Sequence, residues 1–285
     1  NEESFLKDSK QISNLKFRVS YGAIGSQAIR SYQSLASYQS AITALGNSTY
    51  VGVTSLNLSN PDLKWETTKQ FDAGIDLGLF NNRINIVADY YVKNTSDLLY
   101  LKEVPLYSGF TTQLQNIGSV KNSGFEFAIN TINLDKAFKW NTSFNISFNK
   151  NEVMDLGGDA YSLYDGSLGV ILSYESSIIL KVGEPLGSFY GYIFDGLYQN
   201  QAECDALPYP SATTCQPGMV KYRDISGPSG VPDGKITADD RTIIGDGQPD
   251  FVFGFGNDFY FKGFALNILI QGSVGNDIMN IDRKS

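Results

Sequence analysis

Tyr222 to Asp240 reads YRDISGPSGVPDGKITADD, a stretch that resembles a calcium loop with a defect. A calcium loop needs several oxygen ligands spaced around a sharp glycine turn. Asp233-Gly234 supplies the turn, and Asp240 stands where the closing carboxylate belongs. Asp224, Ser226, Asp233, Lys235 and Asp240 are the candidate ligand positions, and Ca²⁺ is the one cofactor that the loop suggests. Two departures count against it. A five-residue insertion, Pro228 to Pro232, separates the two halves, and the closing residue is Asp rather than the longer Glu. The competing expectation is a polar loop held by its own Asp and Gly turns.

Other chemistry is sparse. The chain has 285 residues and no His, which removes the usual general base, the usual zinc ligand and every His-dependent triad. With only 2 Cys, Cys204 and Cys215, a zinc site is not expected. The carboxylates are scattered, so no pair of the kind a glycosidase needs can be nominated. The net charge of −8 argues against nucleic acid, which is bound mainly by Lys and Arg neutralising phosphates. Tyr161, Tyr164, Tyr174, Tyr190, Tyr192, Tyr198 and Tyr209 sit among Asn and Asp residues, a composition suited to sugar rings or peptides. The same tyrosines equally suit loop packing or a partner lid. No catalysis is expected.

The elements that carry these residues read as strands. Aromatics make up 13% of the chain, and rings suit a pleated surface. Alternation is clean in Leu15–Tyr21, in Phe71–Leu79 and in Ile84–Val92. It recurs in Ser123–Thr131, Trp140–Phe148, Phe251–Phe261 and Phe264–Gln271. Short turns at Phe80–Arg83, Asn133–Phe138 and Lys262–Gly263 alternate with long links at about 26–67, 94–121 and 151–249. Outer-membrane barrels have short turns on one rim and long loops on the other, whereas long structureless loops are uncommon in compact soluble domains. Phe80, Phe138, Trp140, Tyr260, Phe261 and Phe264 cluster beside the short turns, where an interfacial girdle belongs. No run is apolar enough for a transmembrane helix, but barrel strands escape such a scan. The expected fold is all-β, an antiparallel transmembrane barrel, with a soluble sandwich as the competitor. In the barrel, Asp76, Asp89, Glu126 and Asn145 face a hydrated lumen, where charge is cheap.

The stretch NPDLKWETTKQFDAGIDLGLFNNRINIVADYYVKNTSDLLY, Asn60 to Tyr100, resembles the late barrel of SusC/RagA-type TonB-dependent outer-membrane transporters. So do Asn116–Glu126 (NIGSVKNSGFE), Gly183–Tyr192 (GEPLGSFYGY) and Asp195–Asn200 (DGLYQN). Asp239–Gly245 (DDRTIIG), Pro249–Asn257 (PDFVFGFGN) and Gln271–Asn276 (QGSVGN) complete the set, in order, over nearly the whole chain.

The resemblance implies a barrel of about 22 strands with a plugged lumen, of which this chain supplies about a third. It implies uptake of an oligomeric glycan or peptide across the outer membrane of a Gram-negative cell. TonB would supply the energy through an N-terminal region not seen here, and a SusD-like lipoprotein would form the lid. The opening NEESFLKDSKQ is not a signal peptide and the ending NIDRKS is not an aromatic strand, so the signal peptide, the plug and the last strands are expected to be missing. The family often shows an uninterrupted Asp-rich loop where Pro228–Pro232 intrudes. An outer-membrane loop passes an oxidising compartment, so a Cys204–Cys215 disulfide is expected. The alternative from another class is a secreted or surface β-rich adhesin or binding module with a calcium-like loop.

Overall fold

The computed structural model of the chain describes residues 11–27, 29–159, 161–164, 177–207, 214–227 and 229–279. Tyr174, Tyr209, Pro228, residues 1–10, residues 280–285 and the side chain of Tyr164 lie outside the described residues.

In chain order the strands are β1 (Ile12–Ser26), β2 (Tyr38–Leu45), β3 (Ser48–Ser55), β4 (Glu66–Leu79), β5 (Ile84–Ser96) and β6 (Leu99–Glu103). Next come β7 (Thr112–Asn116), β8 (Ser119–Asp135), β9 (Phe138–Asp155), β10 (Tyr161–Tyr164), β11 (Ile178–Lys181) and β12 (Ser188–Tyr192). Then follow β13 (Phe194–Leu197), the short helix α1 (Gln201–Ala206), β14 (Val220–Tyr222), β15 (Arg241–Gly245), β16 (Phe251–Phe261) and β17 (Phe264–Val274). The chain divides into two compact units, residues 1–160 with 250–274, and residues 161–249 with 275–285.

The first unit is built on a seven-stranded sheet in the order β1-β4-β5-β8-β9-β16-β17. Every neighbouring pair is antiparallel. Side chains alternate across a strand, so register decides what each face carries. One row reads Leu15, Leu77, Ile86, Ile129, Phe144, Phe255 and Ile270 across all seven strands. The adjacent row on the opposite face reads Lys16, Asp76, Val87, Ala128, Asn145, Gly254 and Gln271. The apolar face has no core beneath it: Phe17 is 72% exposed, Phe125 42% and Phe148 41%. Among the described residues, this unit buries only Val120, Val153 and Leu156 of its apolar side chains. A sandwich would bury that face against a second sheet. An uncovered apolar face on one side and a polar face on the other is the pattern of a membrane barrel wall.

The short turns carry the expected backbone chemistry. Phe80, Asn81 and Asn82 all have positive φ, and Lys262-Gly263 adopt φ of 47° and 84° between β16 and β17. Left-handed residues match the twist of a tight hairpin. The strands run further than alternation suggests, with β8 starting at Ser119 and β9 continuing to Asp155. The long links are also folded. The first holds the ribbon β2-β3 and the second the ribbon β6-β7.

Two positions depart from the expected faces. Tyr260 pairs with Lys139 and Ala265, which puts it on the polar face and outside the girdle. Asn257 lies on the apolar face, in register with Thr142 and Ile268. Its side-chain oxygen accepts from the Trp140 indole at 2.8 Å and from the Thr142 hydroxyl at 2.7 Å, so neither donor is stranded in lipid. Of the other girdle aromatics, Phe138 and Trp140 pack on Phe259, with ring centroids 6.0 and 5.9 Å away, and Phe138 also lies 6.3 Å from Phe261.

The second unit is the excursion between β9 and β16. It contains the four-stranded sheet β10-β11-β12-β15, the ribbon β13-β14 and α1, whose N-terminus is capped by the Asn200 side chain. Tyr198, Cys204 and Cys215 are buried together, with Met219 against them.

Candidate functional site

Asp76, Asp89, Glu126 and Asn145 all fall on the polar face of the sheet, because the register puts Asp76 and Asn145 in one row of that face and Asp89 and Glu126 in the next. Asp89 lies opposite Gly74 on one side and Glu126 on the other. Arg18 reaches across two strands: its Nη2 donates to Asp76 Oδ1 at 2.8 Å and to Asp89 Oδ2 at 3.0 Å. The reach depends on Gly74, since a Cβ there would collide with Asp89 Oδ1 and sit 3.0 Å from the Arg18 guanidinium. Gly124 plays the same part for Tyr91. A Cβ at Gly124 would come within 2.5 Å of the Tyr91 hydroxyl, which donates to Asn149 Oδ1 at 3.0 Å. Asp89, Glu126 and Asn145 also line one shallow depression of about 290 Å³, floored by Val87 and Ala128. The face therefore offers carboxylates, amides, hydroxyls and one braced guanidinium to water or to a polar solute.

Sequence reasoning missed Arg18. It sits in an alternating strand between Lys16 and Ser20, so its face was readable, but its partners are 58 and 71 residues away. Asn257 was also missed, its polarity hidden in a run of phenylalanines.

In the excursion the candidate calcium positions are drawn together in another way. Asp240 is fully buried. Its Oδ1 accepts from the backbone N–H of Ile225 at 2.9 Å and of Ser226 at 3.0 Å, and its Oδ2 from Thr237 at 2.7 Å. The Asp224 carboxylate accepts from the N–H of Asp233 at 3.3 Å and of Gly234 at 2.7 Å. Asp233 accepts from the N–H of Lys235 at 3.0 Å. Thr237 and Asp240 form a reciprocal capping box around the single turn Ala238–Asp240. Burial pushes the Asp240 carboxyl up, but the N–H donors of Thr237, Ser226 and Ile225, with a hydrogen bond to Asp224, outweigh it and hold the carboxyl below its ordinary pKa. The carboxylates thus spend their oxygens on backbone donors. Among the described residues no group of three or more acidic, His or Cys side chains gathers closely enough to hold a metal. The residues present fit a self-capped loop and not a cation cage.

Cys204 and Cys215 are joined by a disulfide. Beside them the Tyr198 hydroxyl donates to the Leu207 carbonyl at 2.7 Å, which satisfies the one polar atom of a ring that is 1% exposed. Of the loop tyrosines, Tyr192 and Tyr222 pack at 5.0 Å, and the Arg241 guanidinium lies 4.8 Å from the Tyr190 ring centroid.

A sheet with one lipid-type face, one polar face, short turns on one rim and folded links on the other defines a segment of a transmembrane β-barrel. The family model described as "TonB dependent receptor-like, beta-barrel" matches residues 10–214, and the chain belongs to that family. TonB-dependent receptor P3 of Formosa agariphila is 41% identical, over 98% of this chain and 27% of its own length. TonB-dependent receptor SusC of Bacteroides thetaiotaomicron is 31% identical, over 96% of this chain and 26% of its own length. A solved structure described as the RagAB peptide transporter superposes with a TM-score of 0.77 at 26% identity, covering 98% of this chain and 29% of that one. The chain thus spans little more than a quarter of the relatives it matches. Family members are receptors and transporters, not enzymes, and the soluble-module alternative falls with the family assignment.

Proposed function

We propose that this chain is the wall segment of a SusC-like importer in the outer membrane of a Gram-negative cell. The observation that carries the reading is the seven-strand register, which sorts apolar and polar residues onto opposite faces without a core between them. Lipid contacts the Phe255 face, and the face bearing Asp76, Asp89, Glu126 and Asn145 lines the lumen. Uptake is energised by TonB acting on a part of the polypeptide outside this segment. The cargo is an oligomer, a glycan or a peptide fragment. A SusD-like lipoprotein closes the extracellular side over the long links, which supply its contact surface. The likeness to SusC and to RagAB supports the importer class, and the folded links support a built extracellular side.

The test is made on the full-length protein in its native membrane. Carbonate washing should leave it in the pellet, and mild detergent should bring a second large lipoprotein with it. Uptake of its growth substrate should stop when TonB is deleted. A species that washes off, or uptake indifferent to TonB, would overturn the reading.

A further inference from the structure

The apolar face of the wall carries a polar row near the short turns. Thr131, Thr142 and Asn257 pair across β8, β9 and β16, between Ile84 of β5 and Ile268 of β17. Asn133, further along β8, joins them. The Thr131 hydroxyl donates to Asn133 Oδ1 at 3.0 Å, the Asn133 amide to the Thr142 hydroxyl at 2.7 Å, and that hydroxyl to Asn257 Oδ1. The Trp140 indole can only donate, so Asn257 Oδ1 must face it and the Asn257 amide nitrogen is turned away. Among the described residues no acceptor meets that nitrogen. The chain of hydrogen bonds therefore ends in an amide donor on the side of the wall that lipid covers, where an N–H without an acceptor is costly.

The turns beside this row are basic. Arg83, Lys136, Lys139 and Lys262 stand in or next to the three short turns against one acid, Asp135, in a chain whose net charge is −8. Lys139 pairs with Asp135 at 3.3 Å, which leaves Arg83, Lys136 and Lys262 in excess, all exposed. Two of them are held in place. Arg83 Nη2 donates to the Ile132 carbonyl at 2.9 Å and to the Asn133 carbonyl at 2.8 Å, partners that leave its charge uncompensated. The Lys262 ammonium lies 5.3 Å from the ring centroid of Phe261, which stands on the apolar face. Adjacent hairpins follow one another about every 10 Å along a sheet, so these charges and the amide meet the same patch of leaflet.

We propose that this corner of the wall seats an anionic phospholipid of the periplasmic leaflet, with Arg83 and Lys262 taking the phosphate and the Asn257 amide a glycerol ester oxygen. Short turns lie on the periplasmic side of such barrels, and basic clusters at a membrane surface attract anionic headgroups. A phospholipid brings acceptors at two depths, phosphate at the turns and esters beneath it, and acyl chains for the phenylalanines around them. A free anion would meet the cations and leave the amide bare. The proposal rests on the part of the importer reading that puts lipid against the Phe255 face, and it is independent of the cargo.

The test uses the full-length protein purified in detergent and stripped of lipid. It is titrated with phosphatidylglycerol, with phosphatidylcholine of the same acyl chains and with inorganic phosphate, and binding is read by native mass spectrometry. Phosphatidylglycerol should bind about tenfold or more tightly than phosphatidylcholine. Lys262→Gln and Arg83→Gln should each cut that preference about fivefold, while Lys69→Gln, the same charge change at the other end of β4, should leave it intact. Asn257→Asp keeps an acceptor for Trp140 and Thr142 and removes the outward donor, so it should weaken both lipids severalfold. Equal binding of the two lipids, a preference that falls as much in Lys69→Gln as in Lys262→Gln, or lipid binding indifferent to Asn257→Asp would overturn the proposal. So would Lys262-dependent binding of phosphate without binding of phosphatidylglycerol. Carbonate washing of native membranes is run on each variant in parallel. Retention without a phospholipid preference sinks this seat alone, and a protein that washes off sinks the importer reading.

Discussion

Phe125, Phe148 and Phe255 in the wall are 42, 41 and 37% exposed, while Tyr198 in the excursion is 1% exposed and Asp240 is fully buried. The same chain thus uses its large side chains in opposite ways. In the wall, each strand needs only its neighbours' backbone, and the apolar side chains are left for lipid to cover. In the excursion they are covered by the unit's own residues. A small unit that buries little must be stapled, and it uses a disulfide, a buried tyrosine with its hydroxyl satisfied, and a carboxylate that collects backbone donors. Polar groups show the same contrast. On the wall's polar face they stay partly wet and are paired across strands, as Arg18 is with Asp76 and Asp89. In the excursion a carboxylate is dehydrated completely and is stable there only because three N–H groups point at it.

The largest expected effect separates the two faces of the wall. Phe253→Arg, on the apolar face, should destabilise the protein in lipid vesicles by about 2–4 kcal/mol, while Val252→Arg, one residue away on the polar face, should cost little. Urea-dependent unfolding in vesicles reads both, and equal costs would break the assignment of faces. Next, replacing Cys204 and Cys215 by Ser should release about 3 kcal/mol of loop-closure stabilisation in the excursion. Proteolysis near Tyr198–Met219 should accelerate while the heat-resistant mobility of the barrel on gels is unchanged. If the wall melts as well, the two regions are not energetically separate.

Asp240→Asn comes next, with a local loss of about 2 kcal/mol, the scale of hydrogen bonds to a charged acceptor. Hydrogen exchange at Ile225, Ser226 and Thr237 measures it. The pH dependence has a definite sign. The folded carboxyl sits below its unfolded value of 3.8, so its contribution is complete above that pH and is lost as pH falls through the lower folded value. Protection of those amides, measured against their intrinsic exchange, should therefore be constant from neutral pH down to the unfolded value and fall only below it. An onset near pH 5–6 would mean that another group controls the loop. Because the carboxylates already hold backbone donors, EDTA should leave the same amides unchanged. The smallest effect is a labelling pattern. A Cys at Asp76 should react with a small polar reagent, and a Cys at Leu77 only with a lipid-soluble one.

Much of the wall was legible in one dimension. Alternation with period two assigns every residue of a strand to a face, and the difference between short and long connections assigns the rims. That was enough for the barrel and for the shared face of Asp76, Asp89, Glu126 and Asn145, while the family was legible only in the ordered motifs between Asn60 and Asn276. The failures are instructive. Tyr260 was grouped with the girdle by its proximity to the turn, although its parity already put it on the other face. The links do not show their structure in the sequence, because short ribbons such as β6-β7 carry too few alternating residues to stand out.

The sequence by itself determined the strand period, the faces and the turn residues, because each depends on neighbours a few positions apart. Only the tertiary structure decided register and long-range pairing. Arg18 meets Asp89 across 71 residues because Gly74 leaves room between them. Asp240 becomes a cap because Ile225, Ser226 and Thr237 present their N–H groups to it once the loop has closed. An Asp-rich sequence with a glycine turn supports either a cation or a set of backbone donors. Which one the oxygens take depends on the path of the backbone between them, and that path is a property of the fold.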